Sequence, residues 1–382
     1  MREVAVIGIG QSVFGKLPQK TVAELGSEAV AAALADADIS AKDIQVAYAS
    51  RQYNVWCTAQ DILKEVGIRN IEMVNVENTC AGGSTAFRGI WKEIADGHYD
   101  VGIAVGVESM TTSPIAGKMI TPEKDDLDGH LGMSMPGMFA MVARRQMEEH
   151  GATVEDFAQV SVKNHRHGCL NPQAQYKKEF TVEEVLNSRM ICEPITLLMC
   201  CPNTDGAAAA ILCSTDVAKR HTTTPIRVLA STLLSGDYKE FQKDITVSPL
   251  LEKISKMAYE MAGCGPEDMD LVEMHDAFAN EEMLRYEDLG LCKRGEGVAL
   301  LRSGATAIGG RIPVNPSGGL LSLGHPLSAS GIRTICEIAL HLRNQAGARQ
   351  TPNAKVGLAH MHGGVVAGLE HGIVAGIHIL AR

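Results

Sequence analysis

The chain has 382 residues, 45% of them hydrophobic and 21% charged, which is ordinary for a globular protein with room for two or three domains. Lys and Arg number 35 against 45 Asp and Glu, a formal net charge of −10, and no basic block stands out, so we expect no nucleic acid partner. No apolar run reaches the roughly 18 residues of a membrane span, and the ten cysteines lack CxxC spacing, so we expect no membrane partner, no metal site and a cytoplasmic protein.

Strands and helices alternate along the first 110 residues. Val4–Ile9 reads as a strand, and its apolar run is too short and too soon broken by glycine for a signal peptide. After it we predict, in chain order, a helix at Thr21–Ala37, a strand at Ile44–Ala49, a helix at Ala59–Val66, a strand at Met73–Val76, a helix at Ser84–Asp96 and a strand at Val101–Val107. Such alternation predicts a sheet covered by helices on its faces.

The composition changes between residues 110 and 200. Methionines are dense there, among them Met119, and charged runs such as Glu123–Asp128 interrupt the alternation. We interpret this stretch as an inserted loop domain that lies over the core. Asp205–Ser214 then reads as a buried strand, and we expect Ile226–Leu234 to pair with it.

The second half of the chain repeats the order of the first. The matching segments are Ala41–Ala49 with Pro266–Met274, Cys80–Arg88 with His325–Arg333, and Val101–Val107 with Val356–Met361. Three matches in one order predict two similar α/β halves related by a pseudo-twofold axis. The predicted boundaries are 1–110 completed by 201–240 for the first half, 111–200 for the insert, and 241–382 for the second half. Cys80 and His325 would then begin equivalent helices that meet near the axis.

Two residues at these predicted helix starts can carry nucleophilic chemistry. Cys80 is followed by two glycines, and the positive end of a helix with its free N–H groups favours a thiolate there; a buried, inert cysteine is the alternative. His325 stands in a Gly-His-Pro turn, where an imidazole can act as base for a thiol or donate to an oxyanion. A surface histidine that caps the helix is its alternative.

Further histidines follow predicted strands of the second half. His275 ends the apolar strand before a turn that begins His-Asp, and polar groups at such strand ends project towards the site face of an open sheet; a turn-forming His-Asp is the alternative. His360 and His362 stand where another apolar strand meets Gly363 and Gly364. Two histidines at this spacing also permit metal binding, but no acidic or cysteine partner lies near them in the sequence.

Other motifs accompany these segments in a fixed order: Asn164–His167 with Asn171–Gln175, Leu198–Ala207, and the stretch Asn315–Val356. Together they resemble the thiolase superfamily, most of all its sterol-carrier-protein type and its archaeal-type acetyl-CoA acetyltransferases. The resemblance spans nearly the whole chain. It implies a five-layer αβαβα fold built from two similar halves with an inserted loop domain.

The resemblance also implies roles for individual residues. Cys80 matches the nucleophile that becomes acylated, His325 the histidine that activates it, and His275 the residue that completes an oxyanion hole, directly or through water. The N–H groups of Cys80 and of the Gly363–Gly364 turn would form a second oxyanion hole. Coenzyme A would be a substrate under the loop domain, with His165 and Lys177 as candidates for its phosphates, and no covalently bound cofactor is implied.

The chain departs from the family pattern at the acid/base. Many thiolases carry a second catalytic cysteine where this chain has His360-Met361-His362, and the sterol-carrier-protein type often carries one at the position of Ala277. Neither position is a cysteine here. Our hypothesis is that His360 or His362 transfers the proton.

Three functions follow from these observations. The first is a thiolase that cleaves a 3-ketoacyl-CoA with CoA or runs the reverse Claisen condensation through an acyl-cysteine. The second is a retro-aldol lyase or condensing enzyme of the same fold, and the third is a non-catalytic acyl-binding subunit. Relatives imply a homodimer or homotetramer, and some work with a small zinc-containing OB-fold protein. The sequence leaves open the reaction direction and whether the acyl chain is linear, branched or aromatic.

Overall fold

The computed structural model describes residues 1–53, 56–114, 116, 118, 121, 127–220, 224–237, 244–366 and 370–382. Met119 and residues 123–126, which contributed to the prediction of the insert, lie outside the described residues. The strands are β1 (Val4–Gln11), β2 (Val46–Ser50), β3 (Glu72–Val76), β4 (Val101–Ser109), β5 (Met190–Cys192), β6 (Ile195–Thr196), β7 (Asp205–Ser214), β8 (Ile226–Ser235), β9 (Leu271–Glu273), β10 (Val356–Val366) and β11 (Glu370–Ala381).

The helices cover the outer faces of the two halves of the sheet, and two of them form a layer between the halves. They are α1 (Val22–Ala37), α2 (Thr58–Leu63), α3 (Gly82–Ala95), α4 (Leu127–His130), α5 (Met135–His150), α6 (Val154–Cys169), α7 (Val182–Leu186), α8 (Thr215–Ala218), α9 (Pro249–Ala262), α10 (Ala279–Asp288), α11 (Gly297–Arg302), α12 (Gly319–Leu323) and α13 (Leu327–Leu342). In the part of the chain that the structure describes, no helix combines the length and the apolar character needed to cross a bilayer.

The large sheet has the strand order β3-β2-β4-β7-β1-β8-β11-β10-β9. This order is symmetric about the junction of β1 with β8, where two residue pairs join the halves in antiparallel orientation. β2, β4, β7 and β1 of one half correspond to β9, β10, β11 and β8 of the other, with parallel pairing of β2 with β4 and of β9 with β10. Outside β9, a bridge from Val272 to Val314 lies where β3 lies in the first half. The predicted pair of similar halves is confirmed.

One predicted strand pairing is wrong. We expected Ile226–Leu234 to pair with Asp205–Ser214, but β7 has both of its edges occupied, by β4 and by β1. The strand β8 therefore pairs with the free edge of β1 on one side and with β11 on the other. Within the stretch 201–240, β7 thus pairs with strands of the first half, whereas β8 pairs with one strand of each half.

The alternation of small residues along β7 lets helices pack on both faces of the sheet. Ala207 and Ala209 face the core formed with α1, whereas Ala208 and Ala210 face the core formed with α3 and α13. Successive side chains of a strand point to opposite faces, and strands covered on both faces read as continuous apolar runs. Among the described residues, this explains why the Ala-rich run of β7 is fully buried.

The helices α3 and α13 form the middle layer. They contact each other, and between them they touch strands of both halves, whereas α1 and α2 cover the outer face of the first half and α9 that of the second. A Cβ atom at Gly83 would lie 2.4 Å from the Ser328 carbonyl oxygen, and one at Gly331 would lie 2.5 Å from the Ser84 nitrogen. Glycine at these two positions permits the close approach of the two helix starts, and the five-layer αβαβα arrangement is confirmed.

The insert packs on the second half. The helix α6 contacts α10, α11 and α12, and α5 contacts α10. Phe139 and Phe157 of these helices share one hydrophobic core with Met274 and Leu320. Thr153 and Asp156 form a reciprocal capping box that fixes the start of α6. A cleft remains between the insert and the helix starts of the middle layer.

Candidate active site

Cys80 occupies a tight turn between β3 and α3. Residues Thr79–Ala81 form a single 3₁₀ turn before α3, and Thr79 has a φ of +49°, which is strained for a β-branched residue. A Cβ atom at Gly363 would lie 1.9 Å from Thr79 Oγ1 and 2.7 Å from the Cys80 nitrogen. The Cys80 turn therefore requires glycine at position 363, because any side chain there would displace it.

The imidazole of His325 meets the thiol of Cys80. His325 Nε2 lies 3.2 Å from Cys80 Sγ, and its Nδ1 lies 2.8 Å from the Ser330 hydroxyl oxygen. The backbone N–H of His325 donates to Thr204 Oγ1 at 3.1 Å. Ser330 in the first turn of α13 thus orients the ring towards the sulfur, and Thr204, just before β7, holds the backbone of His325.

Burial determines the protonation of this pair. It raises the pKa of the Cys80 thiol to about 12, with the charge of Glu281 adding to the rise. Burial also holds the pKa of His325 well below its usual range, with His275 and Arg333 acting in the same direction. Removal from water thus acts against the thiolate that the helix end favours, and both shifts favour the neutral forms of the thiol and the imidazole.

Glu281 on α10 joins two histidines from different strands. Its Oε1 lies 3.0 Å from His275 Nδ1 and 2.9 Å from His362 Nε2. The carboxyl is fully buried, and burial alone would raise its pKa, but the charges and hydrogen bonds of His275 and His362 hold the pKa well below its ordinary value. Burial lowers the pKa of His362 to about 3. The second half thus holds a buried carboxyl group whose ionised form is favoured by its two imidazole neighbours.

The remaining sequence candidates fall in different places. The His360 ring lies 5.3 Å from that of His362, but His360 is fully buried and does not line the cavity. His165 is buried between Tyr176 and Phe180. Lys177 is exposed and donates to the carbonyl oxygen of Pro172. The structure brings neither His165 nor Lys177 to the site.

A cavity of about 480 Å³ opens beside Cys80. His275, His325, His362 and the Gly363–Gly364 segment of β10, where the strand register shifts, form its floor. Met135, Phe139 and Phe278 lie on its apolar wall, and the two phenyl rings stack with centroids 4.3 Å apart. Its described lining also carries three cations that no sequence motif had indicated, Lys16, Lys118 and Arg189. No described lining residue is acidic, so on a chain of net charge −10 the cavity is suited to an anionic ligand.

The sequence patterns did not indicate a role for Glu281 either. It lies six residues after His275 in the printed sequence, and a carboxylate in the first turn of the helix after a His-Asp pair is the signal that could have found it. His360 and His362 were read as having no acidic partner near them in the sequence. In space His362 has one, because α10 places Glu281 against the end of β10.

Among the described residues, two groups of three have atoms close enough to hold a metal ion: Cys80, His275 and His325, and His275, Glu281 and His362, each within 4.8 Å. In the first group His325 contacts Cys80, and in the second Glu281 contacts both histidines.

A buried polar network supports the turn that carries His275. Asn164 Nδ2 donates to Asp276 and to Glu282, both at 2.8 Å, and Asn315 Nδ2 donates to Glu282 at 2.8 Å. Asn315 Oδ1 accepts from the Met274 N–H at 2.9 Å. The asparagines of the two sequence motifs therefore orient this strand end and its turn, which keeps buried polar groups paired.

Comparison with known proteins adds the family. The model of the "Thiolase, N-terminal domain" matches residues 4–216, and that of the "Thiolase C-terminal domain-like" family matches residues 236–374. The chain is similar to an acetyl-CoA acetyltransferase of Methanothermobacter thermautotrophicus, with 39% identity over all of both chains. It is also similar to the benzoylsuccinyl-CoA thiolase subunit BbsB of Thauera aromatica, with 39% identity over 95% of each chain.

Two further similarities concern a longer protein and a solved assembly. Sterol carrier protein 2 of Bos taurus is 37% identical over 94% of this chain and 69% of its own length. Among solved structures, the Ltp2-ChsH2(DUF35) aldolase aligns with a TM-score of 0.86 and 26% identity, covering 99% of this chain and 98% of that one.

Proposed function

The chain belongs to the thiolase family and is a thiolase-type acyltransferase; we propose that it works through an acyl intermediate on Cys80. The resemblance in its sequence to that family is confirmed. We propose that the substrate is a 3-ketoacyl-CoA cleaved by CoA, or that the reverse Claisen condensation takes place. The observation that carries the proposal is the 3.2 Å contact of Cys80 Sγ with His325 Nε2 at the floor of the cavity.

The first step is the attack of Cys80 on the 3-keto carbonyl. Because the thiol is neutral at rest, its proton moves to His325 Nε2 as the sulfur–carbon bond forms. The bond between Cα and Cβ then breaks and leaves an acyl-cysteine and the enolate of a shorter acyl-CoA. The enolate takes a proton at Cα from protonated His362, and that product departs. The thiol of CoA then attacks the acyl-cysteine and passes its proton to His362, while the Cys80 sulfur leaves as the second product forms and regains its proton from His325.

Both anionic oxygens need donors. For the thioester enolate, protonated His325 donates directly, and His275 contributes directly or through water. For the acyl-cysteine adduct we propose the N–H groups of Cys80 and of the Gly363–Gly364 turn. The close packing of Gly363 on the Cys80 turn supports this assignment.

The proton at Cα requires an acid/base other than a second cysteine. We propose His362 for this role rather than His360. In support, His362 lines the cavity and contacts Glu281, whereas His360 does not line it. A neutral imidazole beside a carboxylate is an effective base, because the imidazolium that forms is paired at once.

The rim of the cavity supplies charges for coenzyme A. We propose that Lys16, Lys118 and Arg189, whose side chains are exposed, take its phosphate groups, while Met135, Phe139 and Phe278 contact the acyl end. No cofactor other than this substrate is part of the proposal. His165 and Lys177 remain unsupported as phosphate ligands, since neither reaches the lining.

A retro-aldol reaction is the second candidate. It is favoured by the aldolase named in the structural comparison and by alanine at position 277. A lyase would convert a β-hydroxyacyl-CoA and would not need CoA as co-substrate. A panel of 3-ketoacyl-CoA and 3-hydroxyacyl-CoA esters, linear, branched and aromatic, separates the two. CoA-dependent cleavage of a 3-ketoacyl ester supports thiolysis, and CoA-independent release of an aldehyde or ketone replaces it with the aldolase reaction.

Association is part of the proposal. We propose a homodimer or larger assembly and an accessory protein of the small zinc-containing OB-fold kind, in line with the DUF35 component named for the aldolase neighbour. A cytoplasmic location accords with ten free cysteines. Assaying the panel with and without co-expressed neighbouring genes tests the accessory protein, because a required partner raises turnover from near zero.

A further inference from the structure

Glu281 occupies the centre of the histidine cluster. Its Oε1 faces three donors, namely His275 Nδ1 at 3.0 Å, His362 Nε2 at 2.9 Å and Arg285 Nε at 3.3 Å. Its Oε2 accepts the backbone N–H of Ala277 at 3.1 Å. We infer that Glu281 is the positioning residue that fixes the tautomers of His275 and His362. By doing so it enables His362 to take the place of the missing second cysteine. This inference rests on the proposed thiolase reaction.

The contacts determine which nitrogens carry hydrogen. An ionised carboxylate only accepts hydrogen bonds, so His275 carries its hydrogen on Nδ1 and His362 carries its hydrogen on Nε2. The opposite atoms, His275 Nε2 and His362 Nδ1, are buried and have no hydrogen-bond partner among the described residues. Both histidines line the cavity. Two lone pairs therefore remain available to the ligand.

The two free nitrogens differ in what they can do. His362 Nδ1 accepts the proton that leaves Cα, and the imidazolium so formed is paired with Glu281. In the neutral ring, the single hydrogen of His275 stays on Nδ1 against Glu281, so Nε2 accepts from a water molecule whose other hydrogen reaches the oxyanion. Of the two modes left open for His275, the inference therefore selects the one through water.

The chain behind Glu281 explains how a buried carboxylate stays ionised. Arg285 contacts both Glu281 and Asp288, and Asp288 is bonded in turn to Arg294. Charges of alternating sign thus run from the floor of the cavity to the surface along α10, which offsets the cost of burial.

His325 has no such support. Its Nδ1 meets the hydroxyl of Ser330 rather than a carboxylate. The site therefore divides its proton transfers. His325 serves only the adjacent thiol of Cys80, whereas the pair backed by Glu281 serves the carbon acid and the thiol of CoA.

The test measures acylation of Cys80 separately from proton transfer at Cα, in the full-length protein with acetyl-CoA as the probe. In Glu281→Gln, we expect acylation of Cys80, measured by intact mass, to stay within about threefold of wild type. The exchange of the acetyl-CoA methyl protons in D₂O should fall by about 10²–10³-fold, the range of a lost general base. Glu281→Asp keeps the charge and should recover part of the exchange.

The chain offers a matched control. Glu337 on α13 is also fully buried and pairs with His341 and Arg349, away from the cavity. Glu337→Gln breaks the same kind of cluster and should leave both acylation and exchange unchanged. It also calibrates the loss of thermal stability expected for Glu281→Gln. If Glu281→Gln does not fold, Glu281→Asp carries the test by its exchange rate alone.

The pH dependence of the methyl-proton exchange rate provides a second test. The groups that face Glu281 are His275, His362 and Arg285, with His360 and His325 behind the two histidines. In wild type the exchange should be flat across neutral pH, whereas in Glu281→Gln it should depend on pH. Wild-type exchange in Glu281→Gln, with an unchanged profile, overturns the inference. Absence of Cys80 acylation in wild type instead overturns the proposed function.

Discussion

The two halves of the molecule share a scaffold and differ in the chemistry at their strand ends. The first half places Cys80 before α3, and the equivalent turn of the second half places His325 before α13. At the ends of β9 and β10 the second half adds His275 and His362. In the first half, the corresponding ends of β2 and β4 carry no histidine among the described residues. One half thus supplies the sulfur and the other supplies the imidazoles.

The two halves also differ in the pKa of a buried carboxyl group. Glu108 in β4 accepts N–H bonds from Gln52 and Tyr53 at 2.9 and 3.4 Å, and burial raises its pKa to about 7. Glu281 meets two histidines, and its pKa is held well below the ordinary value. The neighbours of a buried carboxyl group therefore decide the direction in which its pKa moves. The difference accords with the proposal that the second half carries the proton transfer.

The largest effect should come from the contribution of the first half. Replacing Cys80 by alanine removes the only group proposed to carry the acyl chain, so turnover should fall by about 10⁴-fold or more. Thiolysis of a 3-ketoacyl-CoA measures the loss, and thermal unfolding should show little change because the residue is small. Residual turnover within tenfold of wild type would contradict a covalent mechanism on this sulfur.

The next effect separates two histidines of the second half. His362→Ala should lower thiolysis by about 10²–10⁴-fold, since it removes the proposed base. His360→Ala should lower it by far less, because His360 is buried off the cavity. Steady-state rates for both variants, with melting temperatures as the control for folding, test the distinction. Unchanged thiolysis in both would rule out either histidine as the base.

The protonation of the nucleophile predicts a pH dependence. A thiol with a pKa of about 12 is mostly protonated at neutral pH, so its thiolate fraction rises about tenfold per pH unit below that value. Glu281, Glu108 and Glu77 all act to raise that pKa. The rate of Cys80 alkylation by iodoacetamide should therefore climb steadily from pH 6 to 9. A plateau across this range would instead indicate a stable thiolate–imidazolium pair.

The smallest effects concern the rim. Arg189→Ala and Lys16→Ala should each raise the KM for CoA about two- to fivefold with kcat unchanged, because exposed charges are screened by water and salt. The increase should shrink as ionic strength rises. A Lys177→Ala variant serves as the matched control, since Lys177 does not reach the cavity. An equal increase of the KM for CoA in Lys177→Ala would mean that the cations on the rim contribute no more to CoA binding than a cation away from the cavity does.

Much of this comparison could be predicted from the sequence. The repeat of Ala41–Ala49 in Pro266–Met274 and the Gly-His-Pro turn indicated two halves and one shared site, because periodicity and turn residues are local signals. Glu281 could not be placed in this way. Its role depends on His275 and His362, which reach it from different strands only after folding. The pairing of β8 and the raised pKa of the Cys80 thiol depend likewise on neighbours and on burial.

His165 shows, for a residue in a helix, that the sequence did not reveal whether its side chain would be buried. His165 was a candidate for contact with the phosphates of coenzyme A, but its side chain lies on the buried face of α6. The cations that do line the cavity, Lys16, Lys118 and Arg189, come from three separate loops and share no sequence motif.

The central claim is that an acyl group passes through one sulfur. Incubating the full-length protein with an acyl-CoA in the absence of acceptor, followed by peptide mapping by mass spectrometry, tests it directly. The account predicts one added acyl group on Cys80, none in Cys80→Ala, and its release on addition of CoA. Turnover without any acyl group on Cys80, or with the group on another cysteine, would contradict it.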